Sequence, residues 1–166
     1  MGFSNKLSPS VVDDPLVHRR DCRKRAMDLL ARREHGCREL ARKLASKGFD
    51  AEIAAEVVAG LEADGLVADA RFAEAFARSR VNRGQGPRRI ELELRERGID
   101  EGTIGTALEH AECDWVSVAR AARTKRFGLQ APQDLRARGQ QTRFLSYRGF
   151  TGDQIRRALE LADDTD

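Results

Sequence analysis

The residues of this chain best suited to do chemistry are its arginines, which come in blocks with few acids among them. From Arg78 to Arg97 seven arginines stand against three glutamates, and from Arg120 to Arg148 eight cations stand against Asp134 alone. A guanidinium is planar, keeps its charge at any physiological pH, and grips phosphate or carboxylate through two parallel N–H donors. A solvated, salt-bridged helix face would alternate in sign; these blocks do not. The chemistry they suit is binding of a polyanion, either a phosphate backbone or an acidic groove on a protein. On charge alone the candidate contacts are Arg83, Arg88, Arg89, Arg123, Lys125, Arg126, Arg143 and Arg148.

Acid is concentrated elsewhere. Asp50 to Glu74 holds seven acids and one arginine, and Ile99 to Asp114 holds five acids and no Lys or Arg. Bond-breaking chemistry has no visible site. His18, His35 and His110 are scattered without metal-ligand spacing, and His35, near a helix end, reads as a cap or surface residue. Gly84-Gln85-Gly86 lacks the preceding strand that a phosphate-cradling loop needs, so it reads as a helix joint. No nucleophile elbow, Walker-type loop or H-E-x-x-H occurs. Cys22 and Cys37 read as buried thiols. Trp115 and Tyr147 could stack on bases, yet both sit beside apolar helical positions and read as packing residues. No catalytic residue, metal site or cofactor is expected.

The elements that must position these cations are written three times. Lys47-Gly48-Phe49-Asp50 returns as Arg97-Gly98-Ile99-Asp100 and as Arg148-Gly149-Phe150-Thr151. The glycines lie 50 and 51 residues apart (98 − 48 and 149 − 98), a period that implies tandem supersecondary units. Each copy is built like a helix–helix joint. A cation ends one helix, glycine supplies the left-handed position, an apolar residue folds back, and Asp or Thr caps the next helix. Leu44, Leu94 and Leu145 stand four residues before the glycines. Ala54, Ile104 and Ile155 stand five residues beyond the apolar residue, followed by the pairs Val57-Val58, Ala107-Leu108 and Ala158-Leu159.

Periodicity around the joints predicts nine helices in three triplets. Residues 1–17 read as a loose arm, 18–67 as the first three-helix repeat, 68–112 as the second, and 113–166 as the third with a frayed acidic end. In the first repeat, helices run from about Val17 to His35-Gly36, from Cys37 to Lys47, and from Asp50 to Asp64, with Leu66-Val67 plugging the core. In the second, Asp69 is the N-cap, Pro87 opens the middle helix, and Asp100 to Ala111 closes the repeat. The third runs from Asp114 to Phe127-Gly128, then from about Asp134 to Arg148, then from Thr151 to Ala162. Each triplet is too small to bury much alone, so neighbours must share core.

Composition agrees. Of 166 residues 40% are apolar but only 5% aromatic, which favours helices over strands. Three cysteines without a C-x-x-C pair, and no apolar run near the roughly 20 residues of a membrane span, point to a reducing cytoplasm and no membrane.

With the three units laid out, the chain resembles the RecX family, the regulators of the RecA recombinase, from about Arg25 to Leu161. The resemblance is strongest at Asp64-Gly65-Leu66-Val67-Ala68-Asp69-Ala70-Arg71-Phe72-Ala73. It continues through Arg83-Gly84, Pro87-Arg88-Arg89-Ile90, Leu94, Arg97-Gly98-Ile99-Asp100, Phe144 to Phe150 and Ile155. The chain departs from the pattern at Gly36-Cys37, where relatives commonly place a Ser or Thr cap, and at Gly139, which interrupts a basic helix. The resemblance implies an all-α, elongated and curved tandem array of three three-helix, helix-turn-helix-like repeats without enzymatic activity. It implies binding to the RecA–single-stranded DNA filament in its groove, with suppression of ATP hydrolysis, strand exchange and co-protease function; separately, a monomer is expected. Several members bind single- or double-stranded DNA directly.

Two other readings stay open at this stage. A helix-turn-helix transcription regulator would show a defined duplex site and usually a symmetric dimer. A scaffold using its acidic helices would bind a basic protein without any nucleic acid.

Overall fold

The structure, a computed structural model, describes residues 15–160. Those residues form nine helices and no strand: α1 (Pro15–Leu30), α2 (Cys37–Ser46), α3 (Ala51–Ala63), α4 (Asp69–Asn82), α5 (Pro87–Glu96), α6 (Glu101–Glu109), α7 (Trp115–Phe127), α8 (Leu135–Tyr147) and α9 (Gly152–Leu159). They gather into two compact units, one ending at Ala68 and one beginning at Asp69.

The three joints are the same object. After α2, Gly48 N–H donates to Ala45 O (3.0 Å) and Phe49 N–H to Leu44 O (3.3 Å). After α5, Gly98 donates to Arg95 O (2.9 Å) and Ile99 to Leu94 O (3.2 Å). After α8, Gly149 donates to Ser146 O (3.0 Å) and Phe150 to Leu145 O (3.2 Å). This is the Schellman pattern, which satisfies carbonyls the helix end would otherwise leave open. It needs a left-handed residue, and the glycines have φ of 94°, 84° and 92°. The next helix then starts on a side-chain cap: Asp50 accepts from Glu52 and Ile53, Asp100 from Thr103, and Thr151 forms a full capping box with Gln154.

The apolar positions of the repeat become three cores. Leu44, Leu94 and Leu145 are each fully buried. The first core holds Cys22, Ala26, Leu40, Leu44, Val58, Leu61 and Val67. The second is built on Phe72, Ala77, Ile90, Leu94, Ile99 and Ile104, and the third on Ala119, Leu145, Phe150, Ile155 and Leu159. Trp115 packs against both the second and the third, as its packing role requires, and welds those repeats into one unit.

Several expectations are corrected. α1 already starts at Pro15, and the rest of the 1–17 arm lies outside the described residues, as does the acidic end beyond Glu160. α1 stops at Leu30 rather than near His35, because the chain must turn to tuck the His35 ring inside, 1% exposed. His35 is thus no surface cap. Its Nδ1 lies 3.0 Å from Arg33 O and its Nε2 3.2 Å from Lys43 Nζ. A lysine can only donate, so the ring is neutral with its proton on Nδ1. Burial pushes the His35 pKa below its usual value, against the pull of the Arg33 carbonyl. Asp69 is the first residue of α4 rather than a flanking cap, and α9 ends at Leu159. Of Leu66-Val67 only Val67 enters the core; Leu66 is 41% exposed. Tyr147, in the last turn of α8, is exposed rather than packed.

Gly139 sits inside α8 with open space where a Cβ would be. Gly139→Ala therefore gains helix propensity at no steric cost, about 1 kcal/mol. In thermal denaturation the variant should melt roughly 2–4 °C higher.

Candidate functional site

The second unit brings two joints together. α4 ends as α2, α5 and α8 do, Gly84 N–H donating to Val81 O (2.8 Å) and Gln85 N–H to Arg80 O (3.0 Å). The chain then runs along the α8–α9 joint: Gly86 N–H donates to Arg148 O (2.8 Å) and Arg88 N–H to Gly149 O (3.0 Å). Arg148 returns the contact, its guanidinium donating to Arg83 O at 2.7 Å. The backbones touch here because both Gly86 and Gly149 lack a side chain. A Cβ on Gly86 would lie 2.5 Å from Gly149 C and O, and one on Gly149 would lie 2.4 Å from Arg89 N and Cβ.

Beside this seam α4, α7 and α8 enclose a groove of about 500 Å³. Val81, Val118, Ala122 and Phe144 give it apolar lining. Arg83, Lys125, Arg126 and Arg148 give it charge, and no acid lines it. The Arg148 guanidinium lies 5.2 Å over the Phe144 ring, a cation–π contact that fixes its plane. Half of the eight cations expected from charge blocks thus meet in one place. The physical setting is right for phosphate: several cations, low-dielectric walls, and no competing carboxylate.

The other four are spread out. Arg88 is exposed on α5 and Arg143 on α8; among the described residues neither has an acidic partner. Arg143 lines a second, shallow groove with Arg136 and Arg138, two cations the charge blocks contained but did not single out. Arg89 is engaged with Glu93 and lies 5.7 Å over the Tyr147 ring. Arg123 is not a surface cation. It is 7% exposed, and its guanidinium donates to Gln130 O (2.9 Å), Leu129 O (3.2 Å) and Gln141 Oε1 (3.4 Å). Every third or fourth residue of α7 faces inward, and Arg123, four residues after buried Ala119, falls on that face.

Glu93 went unnoticed in the sequence. It is only 12% exposed and gathers three arginines: Arg80 (2.8 and 3.0 Å), Arg89 (2.9 Å) and Arg97 (4.0 Å, with a 2.6 Å bond to the Glu93 carbonyl). Arg80 and Arg97 also cover the Phe76 ring at 4.3 and 4.7 Å. Burial alone would raise the Glu93 pKa, but hydrogen bonds from Arg89 and Arg80 outweigh it and hold the carboxyl below its usual range. The signal was present in the i, i+4 spacing Arg89–Glu93–Arg97. The histidines have structural partners too: His18 Nε2 accepts from Asp50 N–H (3.2 Å), and His110 Nδ1 meets Glu74 Oε1 (2.9 Å). Among the described residues no group of three potential metal ligands occurs.

Comparison with known proteins bears directly on this architecture. The three-helix domains of RecX match in order: the first on residues 22–61, the second on 69–108 and the third on 112–159. The chain belongs to the RecX family. It is 52% identical over 141 residues to the regulatory protein RecX of Halorhodospira halophila, covering 85% of this chain and 88% of that one. It is 46% identical over 154 residues to that of Pseudomonas entomophila, covering 93% and 97%. A crystal structure of RecX from Lactobacillus salivarius shares the fold at TM-score 0.69 and 20% identity, covering 86% of this chain and 95% of that one. A second crystal structure of a regulatory protein RecX has TM-score 0.72 at 21% identity, covering 86% of this chain and 71% of that one. RecX proteins are regulators and not enzymes. No helix among the described residues is long and apolar enough to cross a membrane.

Proposed function

We propose that this RecX-family protein binds the RecA–single-stranded DNA filament and damps its ATPase, strand-exchange and co-protease activities. The supporting observation is the groove in which Arg83, Lys125, Arg126 and Arg148 converge without any acid. Arg83 and Lys125-Arg126 come from different repeats, so the groove exists only while the α4–α5 and α8–α9 joints stay docked. Filament phosphates, or acidic loops of RecA, neutralise these cations, and Arg88 extends the same charge outward. The protein acts as a monomer in the cytoplasm, and many weak contacts along adjacent filament subunits add up by multivalency. Direct DNA binding uses the same cations.

The test is the triple variant Arg83→Ala/Lys125→Ala/Arg126→Ala. The readout is the single-stranded-DNA-dependent ATPase of the cognate RecA as protein is titrated in. Losing three phosphate contacts should raise the half-inhibiting concentration about 100-fold and flatten its log–log salt dependence by about 2 units. Unchanged inhibition with unchanged salt dependence would move the site off the groove. Tight binding to a defined duplex with no effect on the ATPase would favour the transcription-regulator reading instead.

A further inference from the structure

The segment joining α7 to α8, together with the first residue of α8, presents the two most exposed large apolar side chains among the described residues, Leu129 (83%) and Leu135 (88%). Such a segment is usually loose. Here it is held. Buried Arg123 donates to the carbonyls of both Leu129 and Gln130, and Gly128 N–H donates to Thr124 O (2.9 Å). Phe127 packs edge-on against Phe144 at 5.3 Å. At the far end Asp134 accepts from Ala137 N–H (2.7 Å), and Gln133 donates to Ala131 O (3.0 Å). Removing a guanidinium from water without a counter-charge is costly, and its structural product here is a fixed backbone under an exposed leucine.

Charge on the Leu135 side of the tip is mainly basic, and the acid that lines the Leu129 side, Glu160, is paired with Arg156 at 3.0 Å. Leu135 opens the groove of about 610 Å³ whose other lining includes Arg136, Arg138, Thr142 and Arg143. Among the described residues none of these arginines has an acidic partner, and the carboxylate nearest in sequence, Asp134, is taken up by the α8 cap. Fixed aliphatic anchors flanked by uncommitted arginines fit a partner with apolar slots and carboxylates. They fit single-stranded nucleic acid poorly, because bases stack on aromatic faces and these anchors are leucines.

We propose that the α7–α8 segment is a protein-docking tip: Leu129 and Leu135 enter apolar slots of an acidic protein surface while Arg136, Arg138 and Arg143 pair with its carboxylates. The tip is separate from the phosphate-binding groove and holds the regulator to the protein component of the filament, so it rests on the filament reading above. Preformed backbone keeps the ordering cost of binding low.

The experiment compares the wild-type chain with Leu129→Asp/Leu135→Asp. Binding is measured to RecA filaments on single-stranded DNA, to the same DNA alone, and to phosphatidylserine–phosphatidylcholine vesicles. Both side chains are exposed, so the variant should fold as the parent does, checked by its melting curve. The tip predicts filament affinity down about 100-fold with DNA affinity unchanged. Filament affinity equal to wild type would overturn it. Equal losses on filament and bare DNA would overturn it in favour of a nucleic-acid surface, and vesicle binding lost by the variant with filament binding intact would assign the tip to lipid. If wild type itself binds DNA but no filament, the filament reading falls and the tip with it.

Discussion

Gly149→Ala is expected to destabilise the second unit by about 2–5 kcal/mol, one of the two largest effects expected of a single substitution here. Two costs combine. The residue has φ of +92°, where an L-residue with a Cβ is strained by about 1–2 kcal/mol. The new Cβ would also lie 2.4 Å from both the amide nitrogen and the Cβ of Arg89 and 2.9 Å from its Cα. These atoms belong to the first turn of α5 and cannot swing away as a side-chain tip would, so the seam must open, at roughly 1–3 kcal/mol. Gly48 is the internal control. Its φ is +94° in the same joint, yet nothing lies within 4 Å of where its Cβ would be. Gly48→Ala should therefore cost only about 1–2 kcal/mol. Denaturant titration followed by circular dichroism separates the two, and equal costs would show that close approach at the seam contributes nothing.

The same substitution reaches function. Opening the seam removes the hydrogen bonds Gly86–Arg148 and Arg88–Gly149, which hold Arg83 across from Lys125 and Arg126. A folded Gly149→Ala chain should therefore bind filament and single-stranded DNA more weakly without having lost any cation.

Fold was legible because the joint is a local device. A cation, a glycine, an apolar residue and a cap within four positions dictate a helix stop and start, and each of the three copies does so. What was illegible depends on which side of a helix faces the neighbouring element. Arg123 and Arg126 look alike in the sequence, but one is buried on backbone carbonyls and the other lines the groove. His35 and Tyr147 were misplaced in opposite senses for the same reason. The Gly86–Gly149 seam was also hidden, since it pairs residues 63 positions apart (149 − 86) and no local pattern announces such an approach. Of the eight cations that the charge blocks named, four line one groove, while Arg136 and Arg138, which line another, were left out.

Glu93→Gln should be nearly as damaging as the glycine change, although it alters no shape. The carboxylate is 12% exposed and serves Arg80, Arg89 and Arg97, themselves 19%, 38% and 29% exposed. Removing its charge leaves three neighbouring guanidiniums, two of them over Phe76, with no anion between them. Breaking a buried pair from one side costs about 3–5 kcal/mol, and the partial exposure of the arginines places this case near 3. That is a melting point lower by roughly 6–12 °C. The pH dependence gives the sign check. Because its folded pKa lies below the ordinary value of 4.5, ionised Glu93 contributes stability that is fully present above that value. The contribution is lost as pH falls through the folded pKa. The gap between wild type and Glu93→Gln should accordingly be constant near neutrality and close in acid, as the pH falls below the ordinary carboxyl value of 4.5 and through the folded pKa. A gap that persisted undiminished at low pH would mean that the Gln variant suffers from packing and not from charge. The paired change Arg80→Leu/Glu93→Leu carries the same logic further: with donor and acceptor both gone, it should cost less than Glu93→Leu alone.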